Sequence, residues 1–380
     1  MAGIYIHIPF CQRRCIYCDF YSTTTDADRT VSYVRALRKE LLLRKDYLHG
    51  EHVETIYFGG GTPSQLSVSQ LSEILDCIYS GFEVSKNAEI TIECNPDDLN
   101  EEYVSGLRCL AFNRVSMGVQ SFSDEHLSRL RRRHSAAQAV EAVRRLQKSG
   151  IANISIDLIY GLPGETLSEW KSDLDKAFSL DVPHLSAYHL MYEEGTPLYK
   201  LYQQHKVSEV AEDLSVAMFE TLIDKSAAAG YEHYEISNFC YPDMFSRHNS
   251  SYWHGVPYLG CGASAHSFDG RSRQWNVASL DGYIDGIESG TLNCEVEELD
   301  LYTRYNDFVM TALRTSIGLP LAQMCLQFGA ELSDYCVKMA LTSLSNGLLE
   351  IAERDGDRYL KLTRKGIFVS DDVMSDLMWV

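Results

Sequence analysis

At 380 residues the chain exceeds the roughly 250 to 300 residues at which one hydrophobic core stops growing, so a large domain plus a smaller one is expected. Hydrophobic residues make up 45% and charged residues 23%, which excludes a disordered chain. Lys and Arg number 34 against 53 Asp and Glu, a formal net charge of -19 that argues against a broad nucleic-acid footprint or an anionic membrane surface as partner; a local basic patch at Arg129, Arg131, Arg132 and Arg133 stays open.

No apolar run approaches the roughly 18 residues of a membrane-spanning helix, and the N-terminus lacks a secretory pattern. The protein is therefore expected to be cytoplasmic and not an integral membrane protein. Its 11 cysteines, an odd and thinly spread set, are then free thiols or ligands.

In chain order, residues 1–235 alternate strands and amphipathic helices. Strands are expected at Gly3 to Ile8, Val53 to Phe58, Glu89 to Glu93, Arg114 to Met117, Asn153 to Leu158 and His184 to His189. Such repeats imply parallel pairing, in a barrel or a doubly wound sheet. The polar and glycine-rich segments fall just after strand ends, which favours an incomplete barrel with its site at the C-terminal rim. Residues 236–299 are read as an aromatic, glycine-rich connecting region, a functional loop rather than a linker. Residues 300–380 read as a small helical domain with a β wing. Helical patterns run from Tyr302 to Thr315 and from Ala330 to Asn346, and β segments lie near Leu348 to Ala352 and Tyr359 to Leu362. A wing can mean DNA, but the acidic stretch Asp371 to Asp376 and the global charge oppose that.

Cys11, Cys15 and Cys18 form C-x3-C-x2-C on the loop after the first strand. Three thiolates can hold three irons of a [4Fe-4S] cube and leave the fourth iron open. Buried thiols or a zinc site are the alternatives, although no fourth Cys or His lies at finger-like spacing. Tyr5 and His7 share one face of the first strand, so Tyr5 can point at the cysteine loop or simply pack as a buried aromatic. Gly59, Gly60 and Gly61 allow backbone amides to approach a carboxylate or amino group, or make an ordinary turn; the phosphate-loop pattern is absent. Glu93 offers a carboxylate at a strand end, while Gln120, Arg132 and Asp157 can grip a polar ligand.

These residues sit in YIHIPFC, GGGTPS, ECNPDD, RVSMGVQS and SIDLIYGLPGET, and together they resemble the radical S-adenosylmethionine proteins of the oxygen-independent coproporphyrinogen III oxidase family. The resemblance covers nearly the whole chain and implies a partial (β/α)6 barrel. It further implies a [4Fe-4S] cluster on Cys11, Cys15 and Cys18, with S-adenosylmethionine chelating the open iron. By the same resemblance Tyr5, Gly60 and Glu93 match positions contacting that S-adenosylmethionine. Tyr17, Gly61, Thr62, Gln120, Arg132 and Asp157 match positions around a second molecule.

Two departures bear on the branch: Phe20 stands where the oxidase carries a further cysteine, and the oxidase's N-terminal extension before the first strand has no counterpart. Instead the chain carries HNSSYW at His248 to Trp253, which resembles a motif of the family's heme-chaperone branch. A neutral imidazole at His248 can ligate heme iron while Tyr252 and Trp253 supply flat apolar surface. On sequence alone a hydrogen-bonded structural histidine is the competing reading. The resemblance thus implies no catalytic residue, heme as cargo, and an acceptor hemoprotein such as a membrane-associated respiratory one. Oxidative decarboxylation of coproporphyrinogen III is the alternative. Of the other cysteines, Cys94 beside Glu93 stands nearest the expected pocket.

Overall fold

The computed structural model describes residues 1–24, 26–354 and 356–380. Six parallel strands follow one another in chain order: β1 Ala2–Ile8, β2 Val53–Gly60, β3 Val84–Cys94, β4 Arg114–Gln120, β5 Asn153–Tyr160 and β6 His184–His189. A doubly wound sheet would reverse its order midway; neighbours that keep chain order curve into a barrel instead. Further strands extend both edges of the sheet, which ends at Cys294–Glu298 on one side and Glu232–Glu235 on the other. Among the described residues those edges do not pair, so the barrel stays open.

Helices α1 Ala27–Leu43, α2 Val68–Gly81, α3 Glu101–Cys109, α4 Ala136–Ser149, α5 Leu167–Phe178 and α6 Glu212–Ala228 cover the outside. Three of them begin with a reciprocal cap, Ser67 with Gln70, Ser135 with Gln138 and Thr166 with Glu169, which satisfies amide donors that a helix start leaves open. Strand alternation sorts the two faces. In β1, Ile4, Ile6 and Ile8 turn toward the helices and are fully buried, each contributing about 1.5–3 kcal/mol. Tyr5 and His7 turn inward, to a lumen that also holds Thr55, Tyr57, Glu93, Arg114, Asp157 and His184.

The expected connecting region is more regular than its composition indicated. Tyr258–Cys261, here β7, pairs in parallel with the free edge of β1, making a seventh parallel strand. Leu259, Cys261, Leu280, Tyr283 and Ile287 pack into the barrel's own core. Residues 258–287 therefore share one hydrophobic core with the first 235.

A second core gathers Tyr305, Val309, Leu313, Met324, Leu332, Cys336, Leu360 and Val373. It is built by helices Leu301–Leu313 and Leu321–Ser345, the latter broken at Gly329 (φ 86°), and by an antiparallel hairpin of Leu349–Arg354 with Asp357–Leu362. The stretch before Gly329 is helical too, beyond the expected start at Ala330. The two cores meet through Arg314, whose Nε donates to buried Glu235 at 2.8 Å and whose guanidinium lies 4.7 Å from the Trp253 ring centroid.

Candidate cofactor site and barrel floor

The cysteine loop leaves the C-terminal end of β1, where Phe10–Cys11 pairs with Thr23–Thr24 and pins both ends of the loop across the barrel mouth. Cys11 is buried; Cys15 and Cys18 are half-buried. The Thr62 hydroxyl donates to Cys11 Sγ at 3.4 Å and Arg132 Nη1 donates to Cys15 Sγ at 3.4 Å. Burial raises the Cys18 thiol to about 11, and the neighbouring Cys15 and Cys11 add to the rise, so the three sulfurs feel one another's charge. Among the described residues no three His, Cys, Asp or Glu converge as a single-ion site requires. The donor set instead fits a cluster, which spreads three thiolates over three irons and supplies the positive charge that would hold them ionised.

Below the loop, Glu93 accepts from the Tyr57 hydroxyl at 2.7 Å and from the Gly60 amide at 3.3 Å. Burial pushes its carboxyl up to about 7, Asp157 adding to the effect and the Tyr57 bond opposing it. An ammonium group would hold this carboxylate ionised. Gly60 and Gly61 make the cradle: at Gly60 (φ 111°) a Cβ would sit 2.6 Å from the His7 ring, and at Gly61 one would sit 2.8 Å from the Pro9 carbonyl carbon. Only glycine lets this loop lie so close to β1. Tyr5 stands deeper, its hydroxyl 3.1 Å from His7 Nδ1, and His7 Nε2 lies 3.0 Å from the Tyr21 carbonyl.

On the far side of the mouth Arg132 organises the second group. Its Nη2 donates to Asn95 Oδ1 and to the Gly118 carbonyl, both at 2.6 Å, while its buried Nε has no partner. Tyr17 and Cys15 surround the same guanidinium and raise its pKa against the lowering effect of burial. Gln120 lies beside Gly118 in the left-handed region (φ 70°), and Asp157 accepts from the Ser116 hydroxyl at 3.3 Å. The unpartnered Nε and buried Asp157 fit a polar ligand that has both acceptor and donor groups. The basic patch is reduced: Arg129 pairs with Glu125, Arg133 with Asp97 and Asp98, and Arg132 points inward, which leaves Arg131 exposed.

Tyr5, Tyr17, Gly60, Gly61, Thr62, Glu93, Gln120, Arg132 and Asp157 thus gather with the three cysteines at one end of the barrel. His248 does not. Rather than sitting on an open loop, it lies on helix α7 Arg247–Trp253, which plugs the opposite end. The amides of Arg247 and His248 both donate to Glu89 at 3.0 Å, a carboxylate capping a helix start. The ring is 1% exposed, with Nδ1 2.8 Å from Thr55 Oγ1 and Nε2 2.7 Å from the Tyr252 hydroxyl. Both nitrogens are engaged, so the expected free imidazole is corrected to a structural one. Burial, and next the charge of Arg114, lower its pKa to about 3.

Outside the plug, a groove of about 510 Å³ separates the barrel floor from the C-terminal domain. Tyr252, Trp253 and His254 form one wall, and Arg304, Phe308 and Tyr359 stand opposite. Its volume lies within the roughly 300–1000 Å³ of small-molecule pockets. Sequence reasoning missed Asn95 and Arg114 and placed His7 on the inward face without giving it a role, because single polar residues inside or just after apolar strands carry no spacing signal. Cys94 is buried on the outer face of β3, its thiol pushed up by burial, and does not reach the lumen group.

Comparison with known proteins accords with this geometry. The Radical SAM superfamily model matches residues 5–177 and the HemN C-terminal domain model residues 299–369. Heme chaperone HemW of Mycobacterium tuberculosis is 35% identical over 380 residues, covering 99% of this chain and 94% of that protein. Heme chaperone HemW of Bacillus subtilis is 33% identical, covering 98% of each. The solved coproporphyrinogen III oxidase (HemN) of Escherichia coli superposes with a TM-score of 0.85 over 99% of this chain and 90% of that one, at 23% identity, and shows the same fold. With relatives matched end to end and the cysteine loop seated over the barrel mouth, the chain belongs to the HemW family of radical S-adenosylmethionine proteins.

Proposed function

We propose that this protein is a heme chaperone: it takes up heme and passes it to an acceptor hemoprotein, in a form that also carries a [4Fe-4S] cluster on Cys11, Cys15 and Cys18 with S-adenosylmethionine. The observation that carries the reading is the groove of about 510 Å³, walled by the Tyr252 and Trp253 of HNSSYW and lying apart from the cluster loop. The curated relatives bear the same function in their names. When bound, the cluster supplies a low-potential electron to S-adenosylmethionine. Of this chain's residues, Glu93 would take the ammonium of that ligand, the Gly60 and Gly61 backbone would leave it room, and Arg132 would keep Asn95 and Cys15 in place.

The test is two-part. Cluster-reconstituted protein is loaded with heme, freed of excess, and mixed with a heme-depleted respiratory hemoprotein; recovery of the recipient's spectrum and activity is expected. The same preparation is given coproporphyrinogen III, reductant and S-adenosylmethionine without oxygen. Carbon dioxide release without heme transfer would replace the chaperone by the oxidative decarboxylase.

A further inference from the structure

His254 is the residue after helix α7, and Gly255 (φ 64°) takes the left-handed turn that ends it. The position fixes the ring. Nδ1 lies 2.7 Å from the Ser250 carbonyl oxygen one turn back. A carbonyl only accepts, so Nδ1 carries the proton and, in the neutral ring, Nε2 keeps its lone pair. A backbone carbonyl behind the distal nitrogen is the arrangement that orients metal-binding histidines.

The rest of the groove narrows the chemistry. Of the side chains that bind heme iron in proteins, His, Cys, Met and Tyr, the described lining contains one histidine, no cysteine and no methionine. Of its three tyrosines, the Tyr252 hydroxyl is already held by His248 at 2.7 Å and burial disfavours phenolate at Tyr258, which leaves Tyr359, a phenol that must lose its proton to bind where a neutral imidazole need not. The opposite wall offers a cation. Arg304 donates through Nε to the Asp300 carbonyl at 3.4 Å and makes no ion pair among the described residues, whereas Arg273 is paired with Asp307 and Glu297. In a chain of net charge -19, a cation that forms no salt bridge among the described residues and feels the nearby Asp300 carboxylate, beside an aromatic groove, suits a ligand that is flat, apolar and anionic at its edge.

We propose that His254, and not His248, is the axial ligand of the heme iron, through Nε2, with the macrocycle in the groove against Tyr252, Trp253 and Phe308 and a propionate on Arg304. His248 then acts one step behind, holding the Tyr252 hydroxyl and so the wall. The assignment rests on the heme-chaperone reading and gives that cargo a place at the end of the barrel away from the cluster.

The full-length protein is titrated with ferric heme and followed by the Soret band, for wild type, His254→Ala, His254→Cys and His248→Gln, with far-ultraviolet circular dichroism confirming each fold. Wild type is expected to saturate near one heme per chain. His254→Ala should weaken binding at least about tenfold, the loss that removing even an outer partner of a metal-bound histidine brings. His254→Cys should restore binding with the spectrum of a thiolate-ligated iron, including the red-shifted band of its ferrous carbon monoxide form, and His248→Gln should keep the histidine-ligated spectrum while weakening affinity less than His254→Ala does, since it loosens only the Tyr252 wall. If wild type saturates but the His254 variants leave the spectrum unchanged, or if folded His248→Gln alone loses it, the ligand assignment is overturned while the chaperone reading stands. If wild type itself takes up heme without saturation, the chaperone reading falls and the assignment with it.

Discussion

Replacing His248 by glutamine tests the barrel floor in quantitative terms. Burial, reinforced by Arg114, holds this ring's pKa near 3, against 6.5 in water. Below about pH 6.5 the unfolded chain therefore takes up a proton that the folded chain refuses. Stability contributed by the neutral ring is present in full above pH 6.5 and is lost as pH falls toward 3, at ~1.4 kcal/mol per pH unit. At pH 5 the loss from this ring alone is about 2 kcal/mol. His7 and His134, lowered to about 4, act in the same sense. Glu93 and Glu165, raised to about 7, act in the opposite one: they hold a proton in the folded state, and their contribution is lost as pH rises through 7. The whole-protein profile is thus a difference, and comparing wild type with His248→Gln isolates one ring. In urea unfolding followed by tryptophan fluorescence, the variant should be weaker near pH 7.5 by about 1–3 kcal/mol, because an amide replaces two buried hydrogen bonds imperfectly. That gap should shrink by about 2 kcal/mol at pH 5. A gap that stays constant with pH would mean that His248 titrates as if in water, and would refute both its burial and the correction to its role.

Gly60→Ala should cost more than Gly50→Ala: both have positive φ, but only at Gly60 does a Cβ meet the His7 ring, at 2.6 Å, while nothing lies within 4 Å at Gly50. Backbone strain alone is worth about 1–3 kcal/mol, so thermal midpoints that fall equally would show that the close approach does not exist. Arg132→Lys removes the fork that joins Asn95, Gly118 and Cys15, and S-adenosylmethionine affinity measured by calorimetry on reconstituted protein should fall roughly 10- to 100-fold, about 1.5–3 kcal/mol for charged hydrogen bonds. Simultaneous Cys11, Cys15 and Cys18→Ala should abolish the broad visible absorbance and the bound iron and sulfide; a variant that reconstitutes like wild type would refute the cluster assignment.

The cofactor end was readable because most of its residues lie on the inward face of a strand or on the loop that leaves one, and strand period plus a short loop determines where such residues meet. Cys11, Glu93, Arg132 and Asp157 are far apart in sequence, yet the register of β1 to β5 leaves one place for them. The floor was hidden for the opposite reason. Tyr258–Cys261 is four residues long, mixes glycine with one leucine and one cysteine, and becomes a strand only because the edge of β1 is open to it. The helical turn under HNSSYW was equally silent. Its Ser246 cap and Glu89 partner come from two separate places in the chain, and only their meeting shows that His248 points inward and His254 outward. An aromatic motif signals that a surface matters without saying which of its polar atoms is already spent.

The seven residues of β1 separate the cysteine loop from α7 by about 20 Å at ~3.3 Å per residue. Under the proposed heme-chaperone reading, a recipient over the groove would not compete with an electron donor over the barrel mouth. Neither must leave before the other arrives. On that reading the body would work as a bridge between two macromolecules rather than as a carrier that visits them in turn, and the order in which they bind would cease to matter.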